Sequence, residues 1–152
     1  MKLIAHRGNL TGPDTTTENT WASIRKCDRL GIDVEIDFWV KENRLHIGHD
    51  EHRTEEIAMY QLRDLSVNVY AHCKNLDALQ YMSSNRLGNV IPFSHDSDDF
   101  IALSNGEIWA HPRYLANIKV KTYVIAMVWG KPIAKEFEGF YAVCTDYPLE
   151  LL

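Results

Sequence analysis

Four short polar motifs in the first third of the chain carry side chains that can act on a phosphate ester. They read His6-Arg7-Gly8, Glu18-Asn19-Thr20, Glu35-Ile36-Asp37 and Gly48-His49-Asp50. Phosphodiester hydrolysis needs a base for the nucleophile, an acid for the leaving oxygen and positive charge beside the nonbridging oxygens. His6 and His49 suit the first two roles because an unperturbed imidazole titrates at about pH 6.5. Arg7 can place its guanidinium fork on two phosphate oxygens.

Two carboxylates lie within the second apolar run of the chain, residues 32–40. Glu35 and Asp37 are two positions apart, and the alternation of this run indicates a strand, so both side chains face the same side. Two carboxylates on a buried strand face repel each other unless a hard divalent cation lies between them. The pair therefore predicts a site for Mg²⁺ or Ca²⁺.

Five short apolar runs stop directly before a histidine. The runs cover residues 3–5, 45–48, 67–71, 90–94 and 108–110, and the histidines are His6, His49, His72, His95 and His111. Such runs are typical of short buried strands. Two further apolar segments, residues 123–129 and 140–144, complete the predicted strands. His95 and His111 also fit a structural role, His95 oriented by Asp96 and His111 lying in a loop before Pro112.

Helix-prone segments separate several of these strands. The capping-box pattern Thr15-Thr16-Thr17-Glu18 predicts the start of a first helix that ends at Gly31. Asn75 followed by Leu76, Leu79 and Met82 predicts a second helix. Weaker patterns over residues 55–65 and 132–137 predict two more.

The alternation of strands and helices predicts an α/β fold with a parallel sheet, either open and doubly wound or closed as a barrel. Polar residues at the ends of several strands favour the barrel, where reacting groups occupy those ends. A complete eight-unit barrel takes about 250 residues, whereas this chain has 152. We therefore predict one domain, residues 1–152, forming a reduced (β/α) TIM-type barrel of seven or eight mostly parallel strands. Residues 98–109 alternatively form a hairpin that turns at Asn105-Gly106.

Net charge and composition limit the classes of partner that we expect for this protein. The net charge of −5 offers nothing to nucleic acid or to an anionic membrane, so any phosphate must be bound locally. Three cysteines without paired spacing argue against a disulfide framework. No apolar segment is long enough for a signal peptide or a membrane span, so we expect a cytoplasmic protein without stable membrane insertion. The sequence indicates no oligomeric state.

The four motifs, in their order and spacing, resemble the glycerophosphodiester phosphodiesterase family of phosphatidylinositol-phospholipase-C-like barrels. Its pattern of HRG, ENT, ExD and HD segments is matched residue for residue, and Thr145-Asp146-Tyr147-Pro148 is similar to the family's closing segment. The resemblance implies hydrolysis of a small glycerophosphodiester with a divalent cation, Mg²⁺ or Ca²⁺, with Mn²⁺ as a further option. It also implies attack by the glycerol 2-hydroxyl, a cyclic phosphate opened by water, and acid and base roles exchanged between His6 and His49.

The same resemblance implies further substrate-binding residues. Arg7, Asn19 and Lys74 match family motifs, and Trp129 lies where the family often has a tryptophan that can wall the pocket, although core packing also explains it. His95 joins this set through its position at a strand end. The phosphodiester is the expected partner, and its headgroup is open because related toxins act on choline lipids or sphingolipids.

One position departs from the family pattern. The family takes a third carboxylate ligand from an ExK strand, but this chain reads His72-Cys73-Lys74. A neutral imidazole can bind a metal, yet it adds no negative charge and prefers borderline ions. Either the metal is held more weakly, or its identity changes, or His72 binds the phosphate. This loss and the short chain favour an alternative function, a noncatalytic phosphoester-binding or interaction domain.

Overall fold

The computed structural model describes residues 1–152 and contains ten strands in a single sheet. The strands are β1 (Lys2–His6), β2 (Asp33–Lys41), β3 (Arg44–Asp50), β4 (Arg53–Glu56), β5 (Val69–Cys73), β6 (Val90–Phe93), β7 (Phe100–Ala102), β8 (Ile108–Ala110), β9 (Val124–Val128) and β10 (Ala142–Thr145). The α-helices are α1 (Trp21–Leu30), α2 (Met59–Arg63) and α3 (Leu76–Ser84), and 3₁₀ helices cover Pro112–Asn117, Ala134–Phe137 and Pro148–Leu151.

Parallel pairing joins the central strands in the order β6-β5-β2-β1-β10-β9-β8. Antiparallel pairing adds β3 to β2, β4 to β3 and β7 to β8. The sheet curls until the rings of Phe93 on β6 and Trp109 on β8 are 5.0 Å apart. No pairing joins β6 to β7 or β8, so the result is an open half-barrel.

The prediction of a reduced (β/α) TIM-type barrel is therefore wrong. The sheet has ten strands, it is mixed, and few helices cover it. The reason lies in the connections, because three of them are hairpin-like and two others carry only single 3₁₀ helices. Hairpins join antiparallel strands, and the two other connections carry 3₁₀ helices in place of the crossover α-helix of a (β/α) unit.

The hairpin between β2 and β3 is the most consequential difference from the predicted parallel order. Glu42 and Asn43 both have positive φ angles, 50° and 62°. Two successive residues with positive φ are the mark of a type I′ turn, whose twist suits a tight hairpin. β3 therefore runs back along β2 towards the level of Asp37, where a parallel strand would point away.

The structure agrees with some of the helix and turn predictions and differs from others. α3 begins after the N-cap Asn75, as predicted, and Gly31 ends α1 at a φ of 68°. α1 itself begins later than predicted, because Thr20 and not the 15–18 segment caps it, with its side chain accepting from the Ser23 N–H. The hairpin between β7 and β8 forms around the Asn105-Gly106 turn. Residues 55–56 belong to β4, and only the shorter α2 follows.

The two faces of the curled sheet have different roles. The outer face packs under α1 and α3 through a cluster that includes Val34, Ile36 and Val69. The inner face is filled at one end by a second apolar cluster that includes Ile4, Tyr70 and Ile125. At the other end the same inward positions are polar, so the apolar cluster forms the floor beneath a polar site. The longest helix, α1, has 10 residues, so none of the helices could span a bilayer, which takes about 20.

Candidate active site

A buried pair of carboxylates forms the centre of the site. Glu35 and Asp37 lie on the inner face of β2 and are each 2% exposed. His72 of β5 stands beside Asp37 in the parallel register. Its Nδ1 atom lies 2.9 Å from Asp37 Oδ1 and 3.7 Å from Glu35 Oε1. Ligand atoms of these three residues all lie within 4.8 Å of one another, so together they can hold a cation.

His6, at the end of β1, lies next to this centre. Its Nε2 atom is 3.8 Å from Glu35 Oε2, and its Nδ1 atom is 3.0 Å from Asp146 Oδ1. A carboxylate can only accept a hydrogen bond, so the His6 Nδ1–H donates to Asp146. Nε2 is therefore the ring atom that can exchange a proton on the side of Glu35.

A second layer of buried polar residues supports His6. Asn9 donates from Nδ2 to Asp146 at 2.8 Å and to Glu18 Oε2 at 3.3 Å. Asn9, Glu18 and Asp146 are all at least nine-tenths buried. Buried polar groups that are hydrogen-bonded to one another hold their neighbours in a fixed geometry. They therefore fix the orientation of the His6 imidazole through Asp146.

Arg7 and Asn19 bind the carboxylates from the loop that precedes α1. The Arg7 backbone N–H donates to Glu35 Oε2 at 3.1 Å, and its guanidinium donates to Glu18 at 3.1 Å. Asn19 makes two bonds to Asp37, donating to Oδ2 and accepting from the backbone N–H, each at 2.9 Å. Both residues have a φ of 53°, a conformation that residues other than glycine adopt rarely and mostly at constrained sites.

His49 reaches the site from β3 because the β2–β3 hairpin folds back. Its Nδ1 atom lies 3.5 Å from Asp37 Oδ2, and the side chain is 54% exposed. The indole N–H of Trp39 donates to the Gly48 carbonyl at 2.8 Å and fixes the backbone beside His49. A Cβ on Gly48 would lie 2.3 Å from the Arg53 carbonyl oxygen, so this position accommodates no side chain.

The remaining predicted site residues lie at different distances from the centre. Lys74 Nζ is 3.7 Å from Asp37 Oδ1. His95 stacks on His72 with ring centroids 4.4 Å apart. Trp129 is 61% exposed and meets the ring of His111 edge-on at 4.9 Å. The structure thus brings Lys74 and His95 to the cluster, while the recorded contact of Trp129 is with His111.

Burial and charge set the protonation of the carboxylates. Burial, together with the charge of Asp37, raises the pKa of Glu35. Burial acts in the same direction on Asp37, but the hydrogen bond from His72 and the charges of His72, Lys74 and Arg7 hold the pKa of Asp37 below its usual range. Because Asp37 is ionised, His72 Nδ1 is the donor in their bond. A cation between the two residues would take the place of that proton.

The pKa values of the two imidazoles beside the cluster, those of His6 and His95, shift in opposite directions. Burial opposes protonation of His6, but the hydrogen bond to Asp146 and the charge of Glu35 raise the pKa of His6 overall. Burial and the neighbouring His72 lower the pKa of His95. His6 therefore readily carries a proton, and His95 favours the neutral form.

The charge balance of the site fits a divalent cation. Four carboxylates meet there, and two side chains are permanently cationic; these are Glu18, Glu35, Asp37 and Asp146, and Arg7 and Lys74. With all four carboxylates ionised and the imidazoles neutral, the cluster carries two uncompensated negative charges, and a proton on His6 leaves one. A divalent cation would offset this excess. Glu35, Asp37 and His72 are the residues that would hold it.

Two functional residues were missed by the sequence reasoning. Asp146 orients His6, and Asn9 links Asp146 to Glu18. Asp146 directly follows β10, which is the parallel neighbour of β1. Its position at a strand end was the signal that could have identified it, as it did for His6. Asn9 had no such signal, because it lies in an irregular loop.

Comparisons of the chain with protein-family models, with curated proteins and with solved structures found no match. Membership of the phosphodiesterase family therefore stays a prediction that rests on the motifs.

Proposed function

We propose that the protein is a metal-dependent phosphodiester hydrolase that acts on a glycerophosphodiester-like substrate by acid–base catalysis with two histidines. The observation that carries this proposal is that the two histidines flank one buried pair of carboxylates. His6 lies next to Glu35, and His49 lies next to Asp37. His6 approaches Glu35 at 3.8 Å and His49 approaches Asp37 at 3.5 Å. A binding site alone requires cationic groups but not two titratable ones.

Each histidine has one free ring nitrogen for catalysis. Asp146 keeps a proton on His6 Nδ1, and Asp37 lies beside His49 Nδ1. The Nε2 atoms are therefore the ones that exchange protons with substrate. His6, whose Nδ1–H is held by Asp146, donates its Nε2 proton to the leaving alcohol oxygen, while His49 accepts the proton of the attacking hydroxyl.

The reaction then proceeds in two balanced steps. In the first, the glycerol 2-hydroxyl oxygen bonds to phosphorus, its proton passes to His49, and the bond to the headgroup oxygen breaks as His6 protonates that oxygen. The first step leaves a cyclic phosphate. In the second, water gives a proton to His6 and its oxygen bonds to phosphorus, while the glycerol 2-oxygen of the ring leaves with the proton held by His49. Both histidines return to their starting states.

The other residues bind and orient the substrate. Arg7 and Lys74 supply permanent positive charge next to the carboxylates, within reach of the nonbridging oxygens of a phosphate bound there. Asn19 holds Asp37 by two hydrogen bonds and so fixes the carboxylate nearest to His49. A divalent cation held by Glu35, Asp37 and His72 would supply charge stabilisation to the phosphoryl oxygens.

The experiment is an assay of glycerophosphodiester hydrolysis with Mg²⁺, Mn²⁺ or Ca²⁺. We expect turnover that EDTA abolishes and that added metal restores. The Asp37→Asn variant should lose turnover while remaining folded. Inactivity of the wild type with every metal would contradict the proposal.

A noncatalytic phosphoester-binding domain is the second candidate, and one observation favours it. Asp37 already has five polar or cationic neighbours: Asn19, His72, Arg7, His49 and Lys74. Its own charge is thus compensated without a metal. In that case the protein would bind a phosphodiester equally well in the presence of EDTA and would not hydrolyse it.

A further inference from the structure

A wide groove lies between the loop that precedes α1 and the β3–β4 hairpin. Its volume is about 700 Å³, within the range of roughly 300–1,000 Å³ that is common for sites of small ligands. Twelve residues line the groove, and only one of them, Ile47, is hydrophobic. The groove therefore offers a ligand many polar groups and very little apolar surface.

The groove begins at the carboxylate cluster. His49 lines it, and the Nδ1 atom of the same imidazole lies 3.5 Å from Asp37 Oδ2. Asn19 also lines the groove and donates a hydrogen bond to that Asp37 oxygen at 2.9 Å. A phosphodiester bound at the cluster can therefore extend one arm past His49 into the groove. In the proposed reaction His49 takes the proton of the glycerol hydroxyl, so this arm is the glycerol arm.

Two carboxylates of the groove lining each keep one oxygen available. Asp50 accepts from the backbone N–H groups of His52 and Arg53, both through Oδ1 and both at 3.0 Å. Glu55 accepts from the backbone N–H of Trp21 through Oε2 at 2.9 Å. These bonds hold both side chains in place, and they leave Asp50 Oδ2 and Glu55 Oε1 as acceptors for a ligand.

Arg53 adds a group of the opposite kind. It is exposed and lines the same groove, and a guanidinium can only donate hydrogen bonds. A ligand hydroxyl both donates and accepts, so it can pair with either kind of group. An anionic substituent would instead meet the carboxylates of Asp50 and Glu55, and an ammonium group would meet Arg53. An alkyl chain would displace water from all three without replacing its hydrogen bonds.

We propose that this groove binds an uncharged, hydroxyl-rich substituent on the glycerol arm, such as a sugar ring, and that Arg53 is a specificity-determining residue for it. The inference rests on the proposed function and names the substrate class of that site. The glycerol chain alone has three carbons and fills a small part of a groove of this volume. The expected substrate is therefore a glycosylated glycerophosphodiester without an acyl chain.

The test uses two phosphodiesters, methyl 3-(glucopyranosyloxy)propyl phosphate and methyl 3-(cyclohexyloxy)propyl phosphate. They share the phosphate, the linker and a six-membered ring, and the glucosyl ring adds hydroxyl groups. Neither linker carries the 2-hydroxyl nucleophile, so neither compound reacts by forming the cyclic phosphate. Their affinities for the protein with Mg²⁺ are measured by isothermal titration. The wild type should bind the glucosyl compound roughly 10-fold more tightly, as expected for one or two net hydrogen bonds.

Two variants locate this preference. Arg53→Met removes the guanidinium but keeps a long side chain, and it should reduce the preference by roughly 3- to 10-fold. Arg63→Met changes an exposed arginine on α2, outside the groove, and should keep the wild-type preference. Equal affinities of the two compounds for the wild type would overturn the inference without any variant. A preference that survives undiminished in Arg53→Met would also overturn it.

The binding measurement and the hydrolysis assay fail separately. A wild type that binds the glucosyl compound selectively but hydrolyses no glycerophosphodiester would contradict the proposed function alone. A wild type that hydrolyses glycerophosphodiesters but binds both test compounds equally would contradict the groove inference alone.

Discussion

Asp146 Oδ1 accepts a hydrogen bond from His6 Nδ1 at 3.0 Å, although the two residues are 140 positions apart in the chain. The contact forms because β1 and β10 are parallel neighbours and both end at the polar edge of the sheet. It links the two ends of the sequence at the candidate active site. The contact also ties the protonation of His6 to the stability of the fold.

This contact predicts that the stability difference between the wild type and Asp146→Asn depends on pH in the metal-free protein. The folded-state pKa of His6 is raised, so the resulting stabilisation is complete below the unfolded value of about 6.5 and disappears as the pH rises through the folded value. Asp146→Asn removes the acceptor charge. Urea unfolding should therefore show a larger loss of stability for Asp146→Asn near pH 5.5 than near pH 9. An equal loss at both pH values would mean that His6 carries no extra proton in the folded state.

His49 should be required for turnover but not for stability. Its side chain is 54% exposed, so His49→Ala should leave the unfolding transition nearly unchanged. The loss of a general acid or base should lower the rate by a factor on the order of 10² to 10⁴. His52→Ala, at an exposed position three residues away, is the matched control and should keep the wild-type rate. Similar rates for the two variants would remove His49 from the mechanism.

Gly48 should tolerate no side chain. A Cβ there would lie 2.3 Å from the Arg53 carbonyl oxygen, and backbone atoms cannot move aside as a flexible side chain can. Gly48→Ala should lower the free energy of unfolding by about 1–3 kcal/mol and also reduce turnover, because His49 would shift. Gly88→Ala, where a Cβ meets nothing within 4 Å, is the control. A stable and fully active Gly48→Ala protein would show that the β3–β4 backbone is more adaptable than this packing implies.

The sequence indicated which side chains share a strand face better than it indicated the architecture of the sheet. The period-two spacing of Glu35 and Asp37 placed both on one strand face, and a short apolar run ending in His6 placed that residue at the same edge. These are local signals, since a strand of either sheet type alternates in this way. Strand direction is not local, so the alternation does not show that the chain turns back at Glu42 and Asn43 into an antiparallel β3.

Asp146 and Asn9 were missed for a physical reason. The contacts of Asp146 with His6 and Asn9 join residues that are 140 and 137 positions apart, and one sequence does not show which distant segments meet. The resemblance at residues 145–148 assigns no role to Asp146.

His72 occupies the position where the resemblance implies a carboxylate, and its substitution tests its role. If His72 binds a cation, the metal must displace the proton now shared with Asp37, so affinity should weaken as the pH falls from about 7.5 to about 5.5. His72→Glu should then shift preference towards the hard ions Mg²⁺ and Ca²⁺ and reduce this pH dependence. Isothermal titration of metal into both proteins at both pH values measures this. Identical preference and identical pH dependence would exclude His72 from the coordination sphere.

The central claim is that two histidines, one acid and one base, act on a phosphodiester at the Glu35–Asp37 pair. The most direct measurement is the pH dependence of kcat/KM for glycerophosphodiester hydrolysis with saturating Mg²⁺ in the wild type, His6→Ala and His49→Ala. Two-histidine catalysis predicts a bell-shaped wild-type profile and the loss of one limb in each variant, together with a large fall in rate. A wild-type profile with a single limb, or a bell that survives unchanged in either variant, would contradict it.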